Sequence, residues 1–127
     1  MKNERKKVLI ADGSTFMRIM LAMALEKGDF EVVGEAKTGK EAIDKCVELK
    51  PDVMLVDVAL EEKDGIEVTR AAVIENPSVV VIMLITESAS SPDVIIEAVR
   101  AGALGYIKKP LTAEEIEACI KDALKRR

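Results

Sequence analysis

Residues 51–68 read PDVMLVDVALEEKDGIEV and contain the two features that decide the fold. The first is the apolar run Val53–Val56, which does not alternate with polar residues and is typical of a strand buried on both faces. The second is Asp64 with Gly65, which begins a helical pattern. Asp57 stands directly after the run. This stretch therefore predicts a strand–helix unit with a carboxylate at the end of its strand.

Similar units occur on both sides of this one. Further apolar runs are found at Val8–Ala11, Phe30–Val33, Val79–Ile85 and Leu104–Ile107, with helical patterns between them. The run at Phe30 is more polar than the others and suits an edge strand. Five strand–helix units predict an α/β domain with helices on both faces of a parallel sheet. We expect one domain over residues 1–127.

Hydroxyl and carboxylate side chains mark where the helices should begin. They can accept hydrogen bonds from the free N–H groups of a first helical turn, and they are Ser14, Thr38, Asp64, Ser91 and Thr112. A glutamate three residues after Thr38 and after Thr112 predicts a capping box at each of these two starts.

The composition argues against several classes of function. Aromatic residues make up 2% of the 127 residues, and Trp and His are absent. The absence of His excludes catalytic triads and zinc sites that use histidine, and the scarcity of aromatic residues disfavours flavin or base stacking. A net charge of −4 argues against direct nucleic-acid binding. No apolar run is long enough for membrane insertion, so we expect a cytoplasmic protein. We expect Cys46 and Cys119 to be buried free thiols, with a disulfide as the alternative.

Polar residues follow four of the predicted strands. They are Asp12, Asp57, Thr86 with Glu87, and Lys109. In open α/β sheets, ligands bind at the carboxyl ends of the strands, so these side chains should meet at one edge. Carboxylates there suit Mg²⁺ and can attack phosphorus, and a lysine can neutralise phosphoryl oxygens. Taken one at a time, each aspartate could instead be a turn-forming residue, and Lys109 could be a solvated surface lysine.

Three stretches give the sequence a family resemblance: VLIADGSTFMR (8–18), PDVMLVDVALEEKDGIEV (51–68) and AVRAGALGYIKKP (98–110). With these the chain resembles the receiver domains of two-component response regulators, and most closely the single-domain chemotaxis type. The resemblance covers the whole chain. Five strand–helix units of this kind predict a flavodoxin-like, doubly wound sheet in the order 2-1-3-4-5, with two helices on one face and three on the other.

The resemblance implies a role for each residue at the sheet edge. Asp57 would accept a phosphoryl group from a histidine kinase or phosphotransfer protein, and Lys109 would pair with it. Asp12, Asp57 and the Ala59 carbonyl would hold Mg²⁺. Tyr106 would be the aromatic switch, and the bond from Lys109 to the following proline is cis in many members. The fourth helix, fifth strand and fifth helix would form the surface for a downstream target.

The sequence departs from the family pattern at three places. Gly13 replaces the second of two adjacent acids, so Mg²⁺ should bind more weakly. Glu87 falls on the position of the switch hydroxyl unless a local bulge restores Thr86 to it. Glu61 stands where the family favours proline.

Two helical patterns are unusually apolar. Between Phe16 and Leu25, Arg18 is the single polar residue, and the fourth helix has one narrow polar stripe. These faces either pack in the core or bind a partner, including a second copy of the chain.

Two functions from different classes compete on these residues. The first is a phosphoacceptor receiver, which is a signalling module and not an enzyme. The second is a pseudo-receiver that binds proteins without phosphorylation, which Gly13 and Glu87 favour. A flavodoxin-like cofactor binder that uses residues 12–15 as a phosphate loop is disfavoured, because a single glycine is a weak loop motif.

Overall fold

The computed structural model describes residues 5–127 as five strands, five α-helices and one short 3₁₀ turn. The strands are β1 (Lys6–Ala11), β2 (Phe30–Ala36), β3 (Val53–Asp57), β4 (Val80–Thr86) and β5 (Gly105–Lys109). The helices are α1 (Thr15–Glu26), α2 (Gly39–Leu49), α3 (Gly65–Glu75), α4 (Pro92–Ala101) and α5 (Ala113–Arg126), with the 3₁₀ turn at Glu87–Ala89. Residues 1–4, which the predicted domain includes, lie outside the described part.

All four strand pairings are parallel, and the strand order is β2-β1-β3-β4-β5. One layer of core residues lies between the sheet and α2, α3 and α4, and the other lies between the sheet and α1 and α5. The predicted fold is therefore confirmed, including the strand order and the division of the helices. The apolar runs predicted it because β1, β3 and β4 are buried on both faces.

The edge strand β2 is longer than its apolar run. It continues through Ala36, and its pairing with β1 shifts register between Val8 and Leu9, where Gly34 rather than Val33 becomes the next partner. Main-chain hydrogen bonds to β1 need no apolar side chains. Polar residues such as Glu35 therefore remain in the strand, as the more polar pattern from Phe30 onward predicts for an edge strand.

The predicted caps begin all five helices, with one difference. Ser14, Thr38, Asp64, Ser91 and Thr112 each accept a hydrogen bond from a first-turn N–H. The capping box at Thr112 is complete, whereas the one predicted at Thr38 is half formed. Glu41 accepts instead from the main-chain N–H of Lys37. This hydrogen bond lowers the pKa of Glu41.

Both cysteines are free thiols, but their burial differs from the prediction. Cys46 on α2 is buried, as expected, whereas Cys119 on α5 is half-buried. Its Sγ lies against Gly105 of β5, which has no side chain to cover it. Desolvation raises the pKa of both thiols. Between residues 5 and 127, no helix is both long and apolar enough to cross a membrane.

Candidate phosphorylation site

Two buried carboxylates face one ammonium group at the carboxyl edge of the sheet. Asp12 follows β1 and is 1% exposed, and Asp57 ends β3 and is 8% exposed. Lys109, the last residue of β5, places its Nζ 2.6 Å from Asp12 Oδ2 and 3.4 Å from Asp57 Oδ2. The structure thus brings together three residues from three separate strand ends, because parallel strands end at the same edge.

Main-chain N–H groups hold the second oxygen of each carboxylate. Asp12 Oδ1 accepts from the Ser14 N–H at 2.9 Å, and Asp57 Oδ1 accepts from the Ala59 N–H at 3.0 Å. Each acid therefore has one oxygen fixed by its own following turn and one facing Lys109. Hydrogen bonds of this kind restrict the rotamer of a carboxylate.

The local backbone explains why Asp57 can lie so close to α3. A Cβ added to Gly65 would lie 2.5 Å from the Asp57 carbonyl oxygen, so no larger residue fits there without movement. The Gly65 N–H donates to the Val58 carbonyl at 2.9 Å. The start of α3 is thereby held against the strand end that carries Asp57.

The loop between β3 and α3 is also held from the side of α2. The Gly39 N–H donates to the Glu61 carbonyl at 2.9 Å. A Cβ on Gly39 would lie 1.8 Å from the Lys63 carbonyl oxygen, a contact that no side chain could make. Glu62, which lies between Glu61 and Lys63 in the chain, has a φ of 72°, in the left-handed region. Glu61, which replaces the family's proline, is exposed at this loop.

Thr86 and Glu87 occupy different environments. Thr86 is the last residue of β4, is half-buried, and pairs in register with Lys109. Its Oγ1 lies 3.4 Å from the hydroxyl of Ser88. Glu87 begins the 3₁₀ turn with an 81% exposed side chain, 3.9 Å from Lys108 Nζ. Of the two, Thr86 is the one whose backbone pairs with Lys109, the residue that supplies the cation of the site.

Gly13 leaves the site with one acid fewer than the family pattern. No group of three or more Asp, Glu, His or Cys side chains among residues 5–127 is arranged to hold a metal ion. The oxygen donors that the structure places at the edge are the carboxylates of Asp12 and Asp57, and the family resemblance adds the main-chain carbonyl of Ala59. These are hard ligands that suit Mg²⁺, so the residues fit the ion with a reduced ligand charge.

Arg18 is a residue of this region that the sequence pattern did not assign to the site. Its Nη1 donates to the main-chain carbonyl of Asp12 at 2.7 Å, and its Nε lies 3.1 Å from Glu35 Oε1. A lone arginine in an otherwise apolar helix was the available signal.

The Lys109–Pro110 peptide bond is cis, as the family resemblance implied.

Two exposed apolar faces lie outside this site. On α1 the side chains of Phe16, Ile19, Met20 and Met23 are between 42% and 70% exposed. On α4 and β5 the exposed apolar side chains are Ile96, Val99 and Tyr106. Packing in the core therefore accounts for one face of α1 and one face of α4, and leaves the apolar side chains on the other face of each helix exposed.

Comparisons with known proteins agree with the fold. The family profile of the response regulator receiver domain matches residues 8–121. The chemotaxis protein CheY of Listeria monocytogenes is 35% identical over 119 residues, which are 94% of this chain and 98% of that protein. CheY of Thermotoga maritima is 36% identical over 111 residues, 87% of this chain and 91% of that protein.

A solved structure shows the same architecture. The response regulator domain of Thermotoga maritima CheB superposes with a TM-score of 0.87 at 34% identity, covering 95% of this chain and 97% of that domain. Profile, relatives and structure all extend over nearly the whole chain. The chain therefore belongs to the response regulator receiver domain family and is a homologue of CheY in two-component signalling.

Proposed function

We propose that this receiver accepts a phosphoryl group on Asp57 from a phosphohistidine of a histidine kinase or phosphotransfer protein. The observation that carries the proposal is the position of Lys109 Nζ between two buried carboxylates at the edge where a donor would approach. A buried ammonium beside a carboxylate nucleophile supplies the charge neutralisation that phosphoryl transfer requires.

The transfer forms one bond and breaks another. A carboxylate oxygen of Asp57 attacks phosphorus, the bond between phosphorus and the donor's imidazole nitrogen breaks, and the imidazole leaves with the electron pair. The Ala59 N–H holds the other Asp57 oxygen, so the carboxylate does not rotate during attack. Lys109 already lies within reach of Asp57 and can pair with the incoming phosphoryl oxygens.

Asp12, Asp57 and the Ala59 carbonyl would hold Mg²⁺ at this edge. When bound, the ion supplies further neutralisation of the phosphoryl oxygens. Thr86, beside Lys109 in the sheet, would donate its hydroxyl to the phosphoryl group. We assign Glu87 no direct contact with the site, since its side chain is exposed near Lys108.

Phosphorylation would be read by a second protein at another surface. We propose the face of α4, β5 and α5 for a downstream target, because Ile96, Val99 and Tyr106 are exposed there without a covering element. We also propose that the protein is cytoplasmic and that it does not turn over an external substrate. Phosphoryl transfer to and from Asp57 is the chemistry we assign to the domain.

Labelling with a small phosphoryl donor tests the proposal. The protein is incubated with acetyl phosphate and Mg²⁺, and intact mass spectrometry then measures the gain of one phosphoryl group. Asp57→Asn should abolish the gain, because an amide is not an anionic nucleophile. Asp52→Asn is the matched control: Asp52 precedes the same strand at its other end, where it accepts from the Lys7 N–H.

The second candidate function, a pseudo-receiver, rests on Gly13 and the missing acid. It predicts no phosphoryl mass on the wild type with either acetyl phosphate or a histidine kinase as donor. It also predicts that a binding partner is retained equally by the wild type and by Asp57→Asn. That combination of results would replace the phosphoacceptor proposal.

A further inference from the structure

Arg18 has an unusual environment for an arginine on a helix with an exposed face. Its side chain is 13% exposed, and its guanidinium contacts three different elements. Nη1 donates to the Asp12 carbonyl at the end of β1, at 2.7 Å, and Nη2 donates to Thr15 Oγ1 in the first turn of α1, at 3.2 Å. Nε donates to the Glu35 carboxylate on β2, at 3.1 Å.

The contact with Asp12 acts on the backbone and not on the carboxylate. The guanidinium holds the peptide carbonyl of Asp12, while the Asp12 side chain points to the Ser14 N–H and to Lys109. The carbonyl carbon and Cβ are bonded to the same Cα, so a restraint on the carbonyl also restrains the direction in which the carboxylate projects. Arginine suits this role because its planar fork is rigid and can bind several acceptors at once.

We propose that Arg18 is a positioning residue for the phosphorylation site. Through the Asp12 main-chain carbonyl, it orients the Asp12 carboxylate toward Lys109 and toward a bound divalent cation. The inference rests on the proposed function in one respect, the use of Asp12 as a cation ligand. Its geometric part, the control of the Asp12 side chain by Arg18, stands without that function.

Positioning and simple charge predict opposite effects of removing Arg18. The guanidinium carries a positive charge beside an acidic site, so its removal should by charge alone tighten Mg²⁺ binding. If Arg18 positions Asp12, removal should weaken binding, because the carboxylate is no longer held in place. The loss of groups that orient a metal ligand typically costs about tenfold or more in affinity.

The experiment uses Arg18→Met, Arg18→Lys and the control Glu35→Gln. Arg18→Met keeps the apolar stem without the fork, Arg18→Lys keeps the charge, and Glu35→Gln leaves the contact with Asp12 in place. Mg²⁺ affinity is measured by NMR titration of the main-chain amides of the full chain. The Ser14 amide proton, which the Asp12 carboxylate deshields, is followed separately without Mg²⁺. Urea unfolding of each variant shows whether the domain remains folded.

We expect Arg18→Met to raise the Mg²⁺ dissociation constant about tenfold and to move the Ser14 amide proton upfield. Arg18→Lys should raise it to a similar extent, since charge without the fork does not restore the contact. Glu35→Gln should change it less than about twofold. Unchanged or tighter binding in Arg18→Met, or rescue by lysine, would overturn the proposal.

Failure of the proposed function looks different from failure of this inference. If the wild type itself binds no Mg²⁺, the cation site is refuted. In that case, a shifted Ser14 proton in Arg18→Met still supports control of Asp12 by Arg18, and an unshifted one overturns it.

Discussion

Replacing Lys109 with methionine should destabilise the metal-free domain by about 3 kcal/mol. The lysine is the shared cation of two buried acids, with contacts of 2.6 Å to Asp12 and 3.4 Å to Asp57. Removing one partner of a buried ion pair typically costs about 3–5 kcal/mol, because the remaining charge is left without compensation. We take the lower end because the side chains of Lys109 and Asp57 are still 13% and 12% exposed.

Magnesium should restore part of this loss. A ligand that binds only the folded state at ten times its dissociation constant adds about 1.4 kcal/mol to the free energy of unfolding. The gain should be larger in Lys109→Met than in the wild type, since no ammonium group competes with the ion for the two carboxylates. Urea unfolding followed by far-UV circular dichroism measures both effects in a chain that has no tryptophan.

The neighbouring Lys108→Met variant is the matched control. Its side chain is 46% exposed and lies 3.9 Å from Glu87, an exposed contact that contributes little. We expect its unfolding free energy to stay within about 0.5 kcal/mol of the wild type, with no added response to Mg²⁺. Equal losses in the two variants would refute the view that Lys109 neutralises a buried acidic pair.

Four further predictions test other parts of the structure. Gly13→Asp should tighten Mg²⁺ binding about tenfold in a calorimetric titration, because it adds a ligand charge where an added Cβ has only an ordinary 3.7 Å contact. Gly65→Ala should lower the free energy of unfolding in urea by about 2 kcal/mol, since its Cβ would lie 2.5 Å from the Asp57 carbonyl oxygen. Burial raises the pKa of the Cys46 and Cys119 thiols in the folded protein. The unfolded chain therefore loses these protons at a lower pH than the folded protein, and the free energy of unfolding should fall as pH rises past about 8.5. Mass spectrometry after iodoacetamide treatment should find Cys119 alkylated before Cys46, because Cys46 is the more buried.

The sequence predicted the fold well because the strands are buried on both faces. In a domain of this size, an uninterrupted apolar run such as Val53–Val56 has few alternatives to a strand buried on both faces of a sheet. In a parallel sheet, the carboxyl ends of the strands must share an edge. Asp12, Asp57 and Lys109 could therefore be expected to meet. Their distances could not, because the rotamer of a long lysine side chain depends on contacts from three elements.

Other details depended on competition between neighbouring groups. Glu41 has the spacing of a capping box with Thr38, but the Lys37 N–H is the donor it meets. The count of residues from Asp57 favours Glu87 as the switch position, unless a local bulge restores Thr86 to it. The in-register pairing of Thr86 with Lys109, which no count of residues contains, supports Thr86.

The close approach of Gly39 to the loop after β3 offers an internal reporter for the site. Its N–H is hydrogen-bonded to the Glu61 carbonyl, and the Lys63 carbonyl oxygen lies where a Cβ on Gly39 would be. Exchange of this single amide with deuterated solvent therefore requires the loop to detach from α2. The exchange rate of Gly39 would record how often the loop beside Asp57 opens, without any label attached to the protein.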